Sequence, residues 1–189
     1  MTDVCDARFV MCNIGKNQER PDSFFPAEAL RSVKPVASVS FAGGEPFLHA
    51  NLVDLVRVVH ENNPAAKIIF SSNGFRTDSI VKAVQEVSRF HDNTQVTLSL
   101  DGVEDMHDRG RGIPGAREKV NATFDRLGEI GLKKRNFGFT ISADNVSELP
   151  AVYAHTKKKR AGLSIGVAQS SKFLNVDAPC SARKRCIPT

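Results

Sequence analysis

Near the start of the chain Cys5 and Cys12 are separated by six residues, Asp6-Ala7-Arg8-Phe9-Val10-Met11. Thiolates ligate iron and other soft metals, so the pair is a candidate metal site; two structural thiols in a loop account for the same spacing. Further on, Phe41-Ala42-Gly43-Gly44-Glu45-Pro46 combines two glycines, an acid and a proline. The glycines let a ligand approach the backbone, their carbonyls and the Glu45 carboxylate offer acceptors to a cationic amine, and Pro46 suits the first position of a helix. An ordinary tight turn would use the same residues. Gly110-Arg111-Gly112-Ile113-Pro114-Gly115 matches GxGxxG, but a dinucleotide-binding fingerprint leaves a strand directly, and here polar residues intervene, so a loop is expected. His107 and Asp108 are adjacent, a placement that rarely brings two groups onto one atom; a turn stabilised by Asp108 is the simpler expectation.

Short β-branched runs alternating with amphipathic stretches must position these residues. Strands are predicted over 36–41, 67–71, 95–100, 137–141 and 163–168, and helices over the stretch after Pro46, 77–90, 115–130 and 148–159. Alternation of this kind implies parallel βα units with right-handed crossovers. Five such strands fit either a doubly wound sheet or part of a barrel. Both architectures place chemistry at the carboxyl ends of the strands.

The 189 residues are 41% hydrophobic and 25% charged, enough for one sizeable core and unlike a disordered or disulfide-scaffold chain. No apolar run approaches the ~20 residues that span a bilayer, and the first residues have neither the charge nor the apolar stretch of a secretory signal. A cytoplasmic, reducing compartment is therefore expected, in which the four cysteines are thiols or metal ligands. The net charge of +5 is concentrated in Lys157-Lys158-Lys159-Arg160 and Arg183-Lys184-Arg185, without an RNA-binding aromatic motif. These read as a solvated helix end and a basic tail; no nucleic-acid or membrane partner is expected.

In combination the segments resemble the radical S-adenosylmethionine superfamily, whose signature is CxxxCxxC followed by a GGEP turn at the end of the second strand. Ser71-Ser72-Asn73-Gly74 resembles the family's turn after the third strand, Ser99-Leu100-Asp101-Gly102 with His107-Asp108 and Arg111-Gly112 resembles its SxDG…HDxxRG segment, and Thr140 to Asn145 is similar to the stretch after the fifth strand. Cys180-Ser181-Ala182 resembles the opening of the cysteine-rich (SPASM-like) extension of peptide-modifying members. The resemblance implies an α/β fold, an incomplete parallel (β/α) barrel over residues 1–170, with 171–189 opening a truncated extension. Its implied cofactors are a four-iron four-sulfur (4Fe-4S) cluster and S-adenosylmethionine, cleaved with an electron from a reducing donor to a 5′-deoxyadenosyl radical that modifies a substrate, a peptide by the C-terminal resemblance. The implied cofactor-binding set is Gly43, Gly44, Glu45, Pro46, Asn73, Ser99, Asp101 and Arg111. In it the glycine turn receives the methionyl ammonium, and Ser99 and Arg111 receive the carboxylate, for which a guanidinium fork is suited. Asp101 either faces the ligand or orders the turn after its strand. The implied metal ligands are Cys5 and Cys12, and no catalytic side chain is assigned.

One departure bears on activity. Aligning Cys5 and Cys12 with the family's first and third cysteines puts Phe9 where the second belongs, and a phenyl ring cannot ligate iron. Cluster binding is expected to be weakened, with an inactive remnant or a module that binds S-adenosylmethionine without a complete cluster as the alternative function. Residues 1–4 resemble the end of the family's first strand, so most of that strand is expected to be missing, leaving its neighbour with an unpaired edge.

Overall fold

The computed structural model describes residues 4–9, 12, 14, 26–32 and 35–168. Five strands, β1 (Ser38–Phe41), β2 (Lys67–Ser72), β3 (Thr94–Ser99), β4 (Arg135–Ile141) and β5 (Gly162–Val167), alternate with helices. These are α1 (Leu52–Asn62), α2 (Thr77–Val87), α3 (Asp105–Arg111), α4 (Ala116–Glu129) and α5 (Leu149–Lys158). The sheet order is β1-β2-β3-β4-β5, and each neighbouring pair is parallel. A doubly wound sheet needs a point where the order reverses. This sheet has none, so successive right-handed crossovers wind one way and the strands curl into the expected half-barrel, with β1 and β5 at its edges among the described residues.

Alternation along the strands divides the sheet into two faces. On one, Ile68, Phe70, Val96, Leu98, Phe137 and Phe139 are fully buried against Leu55, Val56 and Val59 of α1, Ile80 and Val84 of α2, and Val120, Phe124 and Leu127 of α4. On the other, small and polar residues come into register, Ser71 beside Thr97 and Ser99 beside Gly138. The apolar face assembles the barrel wall; the polar face is left for ligands.

Two details differ from the sequence reading. The chain after Pro46 first makes a short 3-10 turn, Pro46–Leu48, before α1 begins, because Glu45 caps that turn by accepting the Phe47 N–H. The segment 105–111 is a helix, not a loop. Gly112 ends it in the left-handed region at φ +64°, and Gly115 at +73° opens α4. Asp108 accepts the N–H groups of Gly115 (2.6 Å) and Arg117 (2.9 Å), supplying acceptors to the first turn of α4. The GxGxxG match is thus a helix-to-helix corner, and Asp108 has the turn-stabilising part expected of it. Residues 1–3 and 169–189, and with them most of the missing-strand expectation, Cys180 and Cys186, lie outside the described residues.

Candidate cofactor site

Residues from five places in the sequence meet at the carboxyl ends of β1, β2 and β3. Cys5, Phe9 and Cys12 of the N-terminal segment, Gly43, Gly44 and Glu45 after β1, Ser72 ending β2 and Asn73 after it, Ser99 ending β3 and Arg111 ending α3 line one open cleft. Two predicted residues do not line it. Pro46 is buried at the start of its turn, and Asp101 is buried behind Arg111, where it also accepts the Thr140 N–H (2.8 Å).

The turn after β1 is set by local chemistry. Gly43 has φ +133°, open to glycine and strained for side chains. Glu45 is 1% exposed, and both its oxygens are engaged: Oε1 accepts from Ser72 Oγ (2.9 Å) and Phe47 N (3.2 Å), Oε2 from Asn73 N (2.8 Å). The carboxylate therefore cross-links the ends of β1 and β2. Glu45 still lines the cleft, but three of its acceptor sites are already taken within the protein. Burial raises its pKa from 4.5 to about 7, against the lowering effect of its hydrogen bonds.

Beyond β3, Asp101 orders the turn, the second of its two readings. Its Oδ1 accepts the Thr140 N–H and its Oδ2 pairs with Arg111 Nη2, while Asn145 Nδ2 donates to the carbonyls of Asp101 (3.1 Å) and Thr140 (2.9 Å). His107, fully buried, accepts the Asp101 N–H at Nδ1 (3.0 Å), which assigns its proton to Nε2; burial, reinforced by Arg111, lowers its pKa to about 4. Arg111 is 7% exposed, and its Nε has no hydrogen-bond partner. A buried guanidinium that lines a cleft and keeps one donor unpaired suits an oxyanion. One face of that guanidinium lies over the Phe9 ring, 4.0 Å from its centroid.

Backbone and side-chain bonds fasten the described part of the N-terminal segment to the barrel. Val4 O accepts the Glu45 N–H (2.8 Å), and Arg8 N donates to Arg111 O (3.0 Å), where a Cβ on Gly112 would stand 2.9 Å from Arg8 O. Between them Asp6 accepts from Asn73 Nδ2 (2.7 Å) and Arg76 Nε (2.8 Å). Asp6 was not singled out from the sequence. A lone acid beside a cysteine carries no pattern, and its partners lie 67 and 70 residues away. Asn73 Nδ2 also stands 4.0 Å from Cys5 Sγ, and burial raises the Cys5 pKa.

The model of the Radical SAM superfamily matches residues 1–153. The chain belongs to this superfamily. It is 29% identical over 160 residues to the Fe-coproporphyrin III synthase of Methanosarcina barkeri, an alignment covering 81% of this chain and 38% of that protein. To the GTP 3′,8-cyclase of Vibrio vulnificus it is 24% identical over 170 residues, 85% of this chain and 49% of the cyclase. Its fold superposes on Streptococcus suis SuiB bound to S-adenosylmethionine with a TM-score of 0.72 at 16% identity, covering 94% of this chain and 41% of that one. On anSMEcpe with bound AdoMet and Kp18Cys peptide the TM-score is 0.71 at 18% identity, covering 89% and 49%. The chain spans less than half the length of each of these four proteins.

The radical SAM family's cofactors are an iron-sulfur cluster and S-adenosylmethionine. The cleft fits the second: Arg111 presents an unpartnered buried donor, and Gly43, Gly44 and Ser99 line the wall beside it. It does not fit the first so fully. Among the described residues no group of three or more His, Cys, Asp or Glu side chains is placed to hold a metal, and the cleft has two thiols where the family signature has three.

Proposed function

We propose that this chain is the S-adenosylmethionine-binding core of a radical enzyme, with Phe9 leaving its cluster one protein ligand short. The observation that carries the reading is the meeting of Cys5, Cys12, the Gly43-Gly44 turn, Ser99 and Arg111 in one cleft. The Arg111 guanidinium, with Ser99, would take the methionyl carboxylate, and the carbonyls of the glycine turn would take the ammonium. Glu45 and Asn73 hold the turn that presents them, and Asp101 neutralises Arg111 and fixes its direction. Cys5 and Cys12 would supply two thiolates. In this family the cofactors together supply an electron-driven cleavage that yields a hydrogen-abstracting radical. A peptide is the substrate class we favour, supported by the Cys180-Ser181-Ala182 resemblance and by the peptide named with anSMEcpe.

Anaerobic reconstitution with iron and sulfide tests the thiolate count. The wild-type chain should bind much less than four irons, and Phe9→Cys should raise both iron content and brown absorbance. A wild-type chain holding a full cluster would refute the assignment of Phe9 as the lesion. The second reading, a module that binds S-adenosylmethionine without a complete cluster, is favoured by the intact Arg111 receptor beside an incomplete thiol set. It predicts binding of S-adenosylmethionine by chain stripped of iron.

A further inference from the structure

We infer that Phe9, besides displacing an iron ligand, positions the carboxylate receptor: its ring is the surface on which the Arg111 guanidinium is held. This rests on the reading that Arg111 receives the methionyl carboxylate. A guanidinium has two faces and an edge of donors, and each direction must be fixed for the fork to meet an incoming carboxylate. Here Asp101 fixes one end through Nη2, and Phe9 covers one face at 4.0 Å. Nε is buried without a hydrogen-bond partner, and the residue lines the cleft. The backbone that carries the ring is held there, because the N–H of Arg8, its neighbour in the chain, donates to Arg111 O and Arg8 packs against Gly112 too closely for a Cβ to intervene. Phe9 and Arg111 are thus locked together through both backbone and side chain.

Cation–π attraction is strongest where the pair is desolvated, and Arg111 is 7% exposed. The ring also keeps water from that face of the cation, which strengthens its field toward a carboxylate in the cleft. The consequence is opposed effects at one position. Phe9→Cys adds a thiol to the cluster site and removes the ring from the carboxylate site. Restoring the ligand should therefore raise iron content while weakening the cluster-free chain's hold on S-adenosylmethionine.

The test is calorimetric titration of the full chain, stripped of iron by chelation, with S-adenosylmethionine, and with thermal midpoints measured beside it. Wild type and Phe9→Tyr, which keeps the ring, should bind with similar affinity. Phe9→Leu, apolar and of comparable size, and Phe9→Cys should each bind roughly tenfold more weakly, the loss expected for a desolvated cation–π contact. Retention of wild-type affinity by a folded Phe9→Leu chain would overturn the inference. So would a wild-type chain that binds no S-adenosylmethionine at millimolar concentration without its cluster. Arg111→Gln separates the two levels. If it abolishes binding while Phe9→Leu does not, the positioning role falls and the site stands; if it binds as wild type does, the site reading itself is wrong.

Discussion

Two buried groups flanking the cleft carry opposite proton linkages, and removing either should expose the other. Glu45 has a folded pKa of about 7 against an ordinary 4.5, so its contribution to stability is fully present below pH 4.5 and is lost as pH rises through 7. His107 runs the other way. Its folded pKa of about 4 lies below the ordinary 6.5, so its contribution is present above pH 6.5 and is lost as pH falls through 4. Each displacement corresponds to about 3 kcal/mol across its window. Between pH 5 and 6.5 both windows are open. There the native state holds a proton on Glu45 that the unfolded chain lacks, while the unfolded chain holds one on His107 that the native state lacks. The two slopes, each about 1 kcal/mol per pH unit, nearly cancel. In Glu45→Gln the His107 slope should stand alone, so that stability rises with pH across this interval. In His107→Asn, whose carbonyl can still accept the Asp101 N–H, stability should fall with pH. Urea unfolding at half-unit pH steps measures this. The comparison is of slopes, because both substitutions also remove hydrogen bonds at every pH, and His91 and His155, also pushed down by burial, titrate alike in all three chains. Parallel pH profiles for wild type and Glu45→Gln would refute the burial argument for Glu45.

Asp101→Ala should be the most destabilising single change at the site, about 3 to 5 kcal/mol by chemical denaturation, because it strands the Arg111 cation at 7% exposure and frees the Thr140 N–H. A loss below 1 kcal/mol would mean that Arg111 swings to water. Asp6→Ala should cost much less, about 1 kcal/mol, since Arg76 is 48% exposed. It should nevertheless lower the iron taken up in anaerobic reconstitution, because the cysteine segment loses the Asp6 tie to Asn73; unchanged iron content would show that the remaining attachments suffice.

The fold was legible because parallel βα units write a strong pattern. Runs such as Lys67-Ile68-Ile69-Phe70 and the helical spacing of Ile80, Val81, Val84 and Val87 are tied to burial, and burial is what the sheet and its covering helices share. The choice between barrel and doubly wound sheet is decided by strand order, which periodicity does not encode. The α3 helix was hidden for a related reason. In Asp105-Met106-His107-Asp108-Arg109-Gly110-Arg111 the residues that face inward are His107 and Arg111, four apart as a helix requires but not apolar. A buried polar face looks like a loop until its partners, Asp101 above all, are seen.

The same blindness to partners governs the site. The family resemblance, carried by motifs in order, named Cys5, Cys12, Gly43, Ser99 and Arg111, and all five line one cleft. What sequence could not assign is which polar groups face the ligand and which face each other. Glu45 and Asp101 are both acids after strands, yet the structure engages Glu45 with its own turn and the end of β2, and divides Asp101 between Arg111 and β4. That leaves Arg111 lining the cleft with its buried Nε unpaired, and Phe9 on the cation's face. A substitution that reads in the sequence only as a lost thiol is, in three dimensions, a contact with the residue that would bind the cofactor's carboxylate. Ligand loss and receptor support at position 9 are therefore linked, and a variant library at that position should trade iron content against cluster-free affinity for S-adenosylmethionine. Independent variation of the two would separate the iron site from the carboxylate site.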